Sequence, residues 1–259
     1  MKQRDKLRCI LMLFGIFFSI ESYAQDDSLY NNIFGKALKF DFEYYNFKGV
    51  ASNLKFSYHS SNNIIIDRNL NLTKISKTFS LGIGGEKNFS NKLYVDFLNM
   101  SFSGLFNNFT NVHVANGIGY LFAFGKDYSL QIRPNLQVFY SIASYNMGSY
   151  SDTTNKGIVV NNQNIGASAR ISYQNKTFGF IPNINFVYKG SGLGYFLNLG
   201  FNQLINSTEN IAFFVGKGRT YNQKLANSTV LTDGNGNVVN KNIVTSSQFF
   251  IRVGISLSI

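Results

Sequence analysis

Two histidines are the residues with the clearest capacity for chemistry. His59 stands in His59-Ser60-Ser61, His113 stands between Val112 and Val114, and the 259-residue chain has no other histidine. A histidine acts as a general base when a hydroxyl, a water or an acid lies within hydrogen-bonding reach. No acidic residue stands within several positions of His113. A histidine-based hydrolase is therefore one expectation, and polar residues at the rim of a folded domain are the commoner alternative.

A second group of candidates consists of ionisable side chains that alternate with apolar ones. Successive side chains of a β-strand point to opposite faces, so residues two apart share a face. By this parity ten ionisable residues are predicted to face inward: Lys39, Asp41, Glu43, Lys55, Glu86, Asp96, Arg133, Arg170, Lys189 and Arg252. Charge that is buried in a protein or a membrane is costly unless it is paired or hydrated. The group predicts either a water-filled path or internal ion pairs.

The end of the chain shows the kind of element that would position these side chains. From Phe249 to Ile259 every odd position is large and apolar, and the even positions except Phe250 are polar or small. Strict alternation predicts a β-strand with one apolar face. About eleven residues is also the length that a tilted strand needs to cross a bilayer.

Similar segments precede this strand along most of the chain. They lie at 37–47, 54–58, 77–87, 93–102, 114–124, 128–142, 165–173, 178–188, 193–201 and 211–215. Within 93–102 the phase slips at Leu98, as a β-bulge would produce. Because single-chain bacterial barrels have even strand numbers, eleven segments predict an all-β fold with one antiparallel transmembrane β-barrel of about twelve strands, or ten. A twelfth strand is expected within 27–36 or 61–74.

Connection lengths predict the orientation of the barrel. Short turns are expected on the periplasmic side at 87–92, 125–127, 174–176 and 205–210, and long connections outside at 59–76, 144–164 and 219–247. Asp233-Gly234-Asn235-Gly236 is a hairpin turn signal within the last of these. Pro134 and Pro182 fall inside two similar predicted strands, and a bulge or kink is expected at each because proline lacks a ladder donor.

Aromatic residues on the apolar faces predict where the membrane surfaces lie. Tyr128 and Tyr140 are twelve positions apart on one face, which places them roughly 28 Å apart along the membrane normal. Two aromatic girdles flank an apolar band of about 25 Å in barrels of this kind. The predicted girdle residues are Tyr128, Tyr140, Phe178 and Tyr188.

The N-terminus has the pattern of a cleaved signal peptide. Four basic residues precede an apolar run from Cys9 to Ile20, and Ser22-Tyr23-Ala24 follows. Small residues at these positions predict cleavage before Gln25, and the run is too short for a comfortable membrane anchor. The predicted organisation is a signal peptide at 1–24, an N-terminal periplasmic segment or missed strand at 25–36, and the barrel at 37–259.

Composition limits the partners and cofactors. Cys9 is the only cysteine and leaves with the signal peptide, so disulfides and thiolate metal sites are not expected. Cleavage removes four basic and two acidic residues, which changes the net charge from +11 to +9. For an exported basic protein, lipid phosphates, acidic polysaccharide or anionic solutes are more natural partners than nucleic acid. No metal-ligand spacing or phosphate loop predicts a cofactor.

The last strand also carries a resemblance to a known class of proteins. Arg252, Gly254, Leu257 and Ile259 match polar-x-Gly-x-x-apolar-x-apolar, the terminal pattern of outer-membrane β-barrel proteins, although the final residue there is usually aromatic. The resemblance implies an outer-membrane location in a Gram-negative bacterium, insertion by the barrel-assembly machinery, and contact with outer-membrane lipids and lipopolysaccharide. The Tyr-Ala-Gln cleavage context and the Asn-, Phe- and Tyr-rich strands resemble barrels of the Bacteroidota.

Three functions remain open at this point. The first is a structural or accessory barrel that binds a partner protein through its extracellular loops. The second is a small porin-like channel, which a surplus of inward lysine and arginine would make anion-selective. The third is a lipid-modifying enzyme, because His59-Ser60-Ser61 resembles the His-x-Ser of lipid A deacylases.

Overall fold

The computed structural model describes fourteen stretches of the chain, and its regular structure there is almost entirely β. The stretches are 36–45, 48–49, 54–59, 65–70, 78–89, 92–104, 109–124, 129–153, 156–190, 192–224, 230–232, 235–238, 244–245 and 249–258. No helix within these stretches is long and apolar enough to cross a membrane. The predicted signal peptide and nearly all of 25–36 lie outside the described residues.

Eighteen strands and one short 3-10 turn, Gly216–Gly218, make up the described structure. The first nine strands are β1 (Lys36–Tyr45), β2 (Lys48–Gly49), β3 (Leu54–His59), β4 (Ile65–Leu70), β5 (Thr78–Asn88), β6 (Leu93–Ser103), β7 (Phe109–Tyr120), β8 (Phe122–Phe124) and β9 (Leu130–Ser151). The others are β10 (Ile158–Val160), β11 (Gln163–Gly166), β12 (Ser168–Lys189), β13 (Leu193–Phe201), β14 (Gln203–Val215), β15 (Arg219–Lys224), β16 (Val230–Thr232), β17 (Val244–Thr245) and β18 (Phe249–Ser258).

Eight of these strands close into one antiparallel barrel. The order around it is β1, β5, β6, β7, β9, β12, β13 and β18, and β18 pairs with β1 to close it. The predicted all-β antiparallel barrel is therefore confirmed. The predicted count of twelve strands, and the alternative of ten, are wrong.

One merged strand and two strands outside the closed barrel explain the error in the count. β12 runs without a break through 174–176, where a turn was predicted, so 165–173 and 178–188 belong to one strand. The predicted strand at 211–215 is the end of β14, which runs through the predicted turn at 205–210 and is not one of the eight strands that close the barrel. The predicted strand at 54–58 is β3, which pairs with β4 and β16 in a small sheet outside the barrel. Polar residues inside long strands produced the false turn signals, because these strands continue beyond the apolar band of the barrel exterior.

The exterior of the barrel carries a continuous apolar band. Along β18 the odd residues from Phe249 to Leu257 are exposed, whereas Phe250, Arg252 and Ser256 are buried. Tyr140 and Phe178 are exposed cross-strand partners, and Tyr188 is exposed ten residues further along β12. That separation corresponds to roughly 23 Å along the barrel axis. Tyr128 lies outside the described residues.

Irregularities in the ladders occur at Leu98 and at both prolines, but in different forms. The predicted bulge is confirmed, because the β6–β7 register shifts between Asp96 and Asn99 and Leu98 has a φ of 51°. β9 and β12 pair through both prolines without a register shift there, so the predicted bulge or kink is absent from this ladder. Pairing is instead interrupted on the neighbouring strands, where β7 ends at Tyr120 and β13 ends at Phe201.

Beyond the apolar band, one side of the barrel continues as an open sheet. In this region β12 before Phe178 pairs with β9 beyond Tyr140 on one side and with β14 on the other, and β15 adds a fourth strand. We call these four segments the upper sheet. A second apolar core lies against the inner face of this sheet and includes Phe109, Met147, Ile171, Ile211 and Phe213. The β9 and β12 strands are 22 residues long because they span both regions.

The β10–β11 hairpin covers this second core. Its buried residues Ile158, Val160 and Ile165 belong to the same apolar cluster. Asn161 and Asn162 both have positive φ, the conformation that a two-residue type I′ hairpin turn requires. Asn161 Nδ2 donates a hydrogen bond to the carbonyl of Asn222 in β15, at 3.2 Å. The hairpin therefore reaches from the β9–β12 connection across to the last strand of the sheet.

Candidate functional site: the barrel interior

The barrel interior holds most of the ionisable residues that parity placed there. Eight are buried on barrel strands: Lys39, Asp41, Glu43, Glu86, Asp96, Arg133, Lys189 and Arg252. Two inward assignments are wrong. Lys55 is exposed on β3 outside the barrel, and Arg170 is exposed on the upper part of β12 with its guanidinium over the ring of Phe214. Parity failed for Lys55 because its strand is not part of the barrel.

A first group of ion pairs lies toward the end of the barrel at which β5 is followed by β6 and β12 by β13, which we call the short-turn end. Glu86 accepts from Arg133 Nη1 at 2.8 Å and lies 3.3 Å from Lys189 Nζ. Lys39 Nζ contacts a carboxylate oxygen of Asp96. The other Asp96 oxygen accepts hydrogen bonds from the side-chain amides of Asn135 and Gln137. These contacts join side chains from five different strands.

A second group of ion pairs is centred on Arg252 of the last strand. Arg252 Nη2 donates to Glu43 Oε2 at 3.0 Å, and its Nε lies 3.5 Å from Asp41 Oδ1. All three side chains are buried, and β18 and β1 are the two strands that close the barrel. One buried guanidinium thus compensates two carboxylates across the closing ladder.

The charges inside the described barrel strands balance. Four of the buried charged side chains are cationic and four are anionic. Isolated charges at this depth would be strongly destabilising, whereas paired and hydrogen-bonded charges are tolerated. The surplus of inward cations on which the anion-selective alternative depended is therefore not found among the described interior residues.

Three interior cations lie over aromatic rings, each of which lies over a glycine of the adjacent strand. Cation-to-centroid distances are 5.1 Å for Arg133 over Tyr94, 5.4 Å for Arg252 over Phe250 and 5.9 Å for Lys39 over Phe196. A Cβ added at the facing glycine would come closer than 3.0 Å to the ring in each case, and these glycines are Gly119, Gly200 and Gly254. Glycine therefore provides the space for the ring, and the ring contributes a cation–π contact.

An apolar layer crosses the interior beside the second ion-pair group. It consists of Ala115, Phe139, Ile181 and Phe250, with Leu204 packed against it. The interior of an eight-stranded barrel is just wide enough for side chains to fill. The layer therefore fills part of the barrel interior with apolar side chains.

The two histidines do not come together as a catalytic pair in the described structure. His113 is buried, and its ring stacks on Phe139 with centroids 5.1 Å apart. His59 ends β3 and pairs with Ile65 in the sheet outside the barrel. Among the described residues, no group of three His, Cys, Asp or Glu side chains could hold a metal ion.

Sequence reasoning missed the neutral part of the interior. Tyr94, Gln131, Asn135, Asn183 and Asn185 are buried and were not singled out. The signal was present, because all five share the parity of a neighbouring predicted inward charge or glycine. The glycine–aromatic pairs could not be found in this way, since they depend on the register between strands.

Comparisons with known proteins add a likeness of architecture. No known protein family and no curated protein matches the sequence. Among solved structures, the chain is similar to a major outer membrane protein from Thermus thermophilus, with a TM-score of 0.41 and 13% identity over 86% of this chain and 99% of that one. At these values the placement in a membrane rests on the chain's own apolar band and closed ladder.

Replacing Arg252 tests the ion pairs at the closing ladder. Arg252→Met removes the guanidinium that pairs with two buried carboxylates, and we expect a loss of about 3–5 kcal/mol in the free energy of unfolding. The loss is measured by urea titration in lipid vesicles, with the mobility of unboiled protein on gels as the signal. Arg170→Met, at an exposed position, is the matched control and should cost at most about 1 kcal/mol, the contribution of its exposed contact with the Phe214 ring. Equal stability of the two variants would contradict the assignment.

Replacing Gly254 tests the packing of aromatic rings on glycines. An added Cβ would collide with the Phe40 carbonyl and the Phe196 ring, so Gly254→Ala should cost about 1–3 kcal/mol. Gly216→Ala is the control, because nothing lies within 4 Å of its added Cβ. The same titration measures both variants. A Gly254→Ala protein as stable as Gly216→Ala would show that the ring does not need this space.

Proposed function

We propose that this chain is an outer-membrane β-barrel protein that acts through its long-connection side, as a structural or accessory component that binds a partner protein there. A closed ladder with an apolar exterior of roughly bilayer height supports the membrane position. Export through a signal peptide at 1–24, insertion by the barrel-assembly machinery and contact with lipopolysaccharide belong to the same proposal. The long connections then face the cell exterior.

The observation that carries this proposal is the four-stranded sheet beyond the apolar band, with the second apolar core that the β10–β11 hairpin covers. β12 extends ten residues beyond Phe178, which corresponds to roughly 23 Å above the apolar band. A barrel that only needed to span the membrane would not require a four-stranded sheet and a covering hairpin at this height. The exposed polar residues Asn146, Thr220 and Lys224 lie on this upper sheet. A rigid, solvated platform of this kind suits recognition of a partner.

The interior supports a closed barrel over a channel. The buried ionisable side chains are paired and balanced, and the apolar layer around Phe139 and Phe250 crosses the lumen. Of the two histidines, His113 is buried against Phe139 and is not placed to act as an accessible base. The paired charges and the apolar layer favour the binding role over the channel.

Ion conductance tests the closed interior. The folded mature protein should give no stable conductance steps in a planar bilayer under a salt gradient, because apolar side chains fill the lumen. A Phe139→Ala plus Phe250→Ala variant removes the two rings of the apolar layer and should conduct. Stable anion-directed steps from the wild-type protein would establish the channel alternative instead.

Photo-crosslinking in intact cells tests the binding role. A photoreactive amino acid at Asn146 or Thr220 should give one discrete protein adduct, because both residues are exposed on the upper sheet. The same amino acid at Val138, an exposed position within the apolar band, is the matched control and should give none. Adducts should disappear when Ile158→Asp disrupts the covered core. Identical adduct patterns from all three positions would contradict the proposal.

A further inference from the structure

A groove of about 790 Å³ crosses the exterior of the barrel at the level of the two prolines. Its lining includes Pro134 and Pro182, whose compact rings face outward from adjacent strands. β9 and β12 pair so that Pro134 lies opposite Ile184 and Pro182 opposite Leu136. Two short side chains at diagonal positions leave a depression among the larger residues of the apolar band.

The groove follows the hydrogen-bonding direction and not the strands. One wall consists of Leu93, Tyr120, Pro134, Ile184 and Leu199, on five successive strands. Leu93 pairs with Tyr120, Pro134 with Ile184, and Ile184 with Leu199. Four strand-to-strand steps make this wall roughly 19 Å long.

This wall climbs away from the short-turn end. Leu93 is the first residue of β6, Pro134 is the fifth of β9, and Leu199 is the seventh of β13, each counted from that end. For strands tilted by roughly 40°, the rise along the membrane normal is about 12 Å. Half of the hydrocarbon core is about 15 Å thick. The groove therefore has the length and rise of one acyl chain in a single leaflet.

A lysine immediately precedes the first residue of this wall. Lys92 is exposed and directly precedes Leu93, and its carbonyl accepts a hydrogen bond from the Leu121 amide at 2.7 Å. Lys36 and Lys87 are cross-strand neighbours at the same end of the barrel. A lysine at the bilayer surface attracts anionic headgroups by about 1 kcal/mol. The low end of the apolar groove therefore lies at the end of the barrel that carries these three lysines.

We propose that the groove binds one anionic phospholipid of the periplasmic leaflet, with an acyl chain lying over Pro134 and Pro182 and the phosphate beside Lys92. The inference rests on the membrane placement proposed above. A lipid is the natural occupant because the whole groove lies within the lipid-facing band, where water does not compete for it. An acyl chain is also only about as wide as one row of side chains.

The absence of tryptophan from the sequence allows a direct test with single fluorescent reporters. Phe201→Trp places the reporter in the groove, and Phe180→Trp places one outside its lining at nearly the same depth and exposure, 37% and 39%. Folded protein in detergent is titrated with phosphatidylglycerol that carries brominated acyl chains. Fluorescence of the groove reporter should be quenched in a saturable manner near one lipid per protein, whereas quenching of the reporter outside the groove should rise gradually only at high lipid content.

Charge variants and a second lipid complete the test. Lys92→Gln should weaken the saturable phase about fivefold, and brominated phosphatidylcholine should give a similar reduction. Lys156→Gln, at the opposite end of the molecule, is the control and should leave it unchanged. Equal, non-saturable quenching of both reporters would overturn the lipid site. So would chemical crosslinking of the folded protein that joins two copies of the chain through the groove. If even excess lipid fails to quench the reporter outside the groove, the membrane placement itself is wrong.

Mass spectrometry of the wild-type protein provides a measurement that needs no variant. Protein released gently from membranes should retain one phospholipid per chain. Complete delipidation under conditions that preserve the folded mobility on gels would count against the site.

Discussion

Closure of the β-ladder is the constraint on which the rest of this structure depends. In a bilayer no water is available to satisfy an open sheet edge, so a sheet can span only when its first and last strands pair. β18 meets this requirement by pairing with β1 on one side and β13 on the other. A strand that closes the ladder must at the same time fill the interior that closure creates.

β18 fills that interior with the residues that alternate with its outward-facing ones. Arg252 compensates Asp41 and Glu43 of β1, Phe250 joins the apolar layer, and Gly254 makes room for Phe196 of β13. Arg252 and Gly254, two residues of the predicted assembly signal, therefore have a structural role in the closed barrel. Because these contacts form only when β18 lies between β1 and β13, correct closure and correct interior packing depend on each other.

The sequence predicted the local structure of this barrel better than its extent. Period-two alternation placed eight of the ten interior charges, the bulge at Leu98 and the outward-facing side of β18 correctly, because each follows from the geometry of a single strand. The number of strands was wrong because β12 continues beyond the apolar band without ending, and because β3 and β14 are not among the eight strands that close the barrel. Residues such as Gln174 and Ser207 are polar although the chain does not turn there.

Features that depend on register between strands could not be predicted from one sequence. The rings of Tyr94, Phe196 and Phe250 lie over Gly119, Gly254 and Gly200, which are distant in the chain. The groove over Pro134 and Pro182 likewise exists because two similar segments pair antiparallel with Asn135 opposite Asn183. Parity also failed for Lys55, since no property of its own segment shows that β3 pairs outside the barrel.

A cysteine scan of β18 in lipid vesicles tests most directly whether this strand closes a membrane barrel. The only cysteine of the sequence, Cys9, lies in the predicted signal peptide, so the mature chain offers a clean background for nitroxide labels at 249–258. Labels at odd positions should be accessible to oxygen dissolved in the lipid, and labels at Phe250, Arg252 and Ser256 should be shielded both from oxygen and from a water-soluble nickel complex. Accessibility of the odd positions to the nickel complex, or a loss of the two-residue period, would contradict a lipid-facing closing strand.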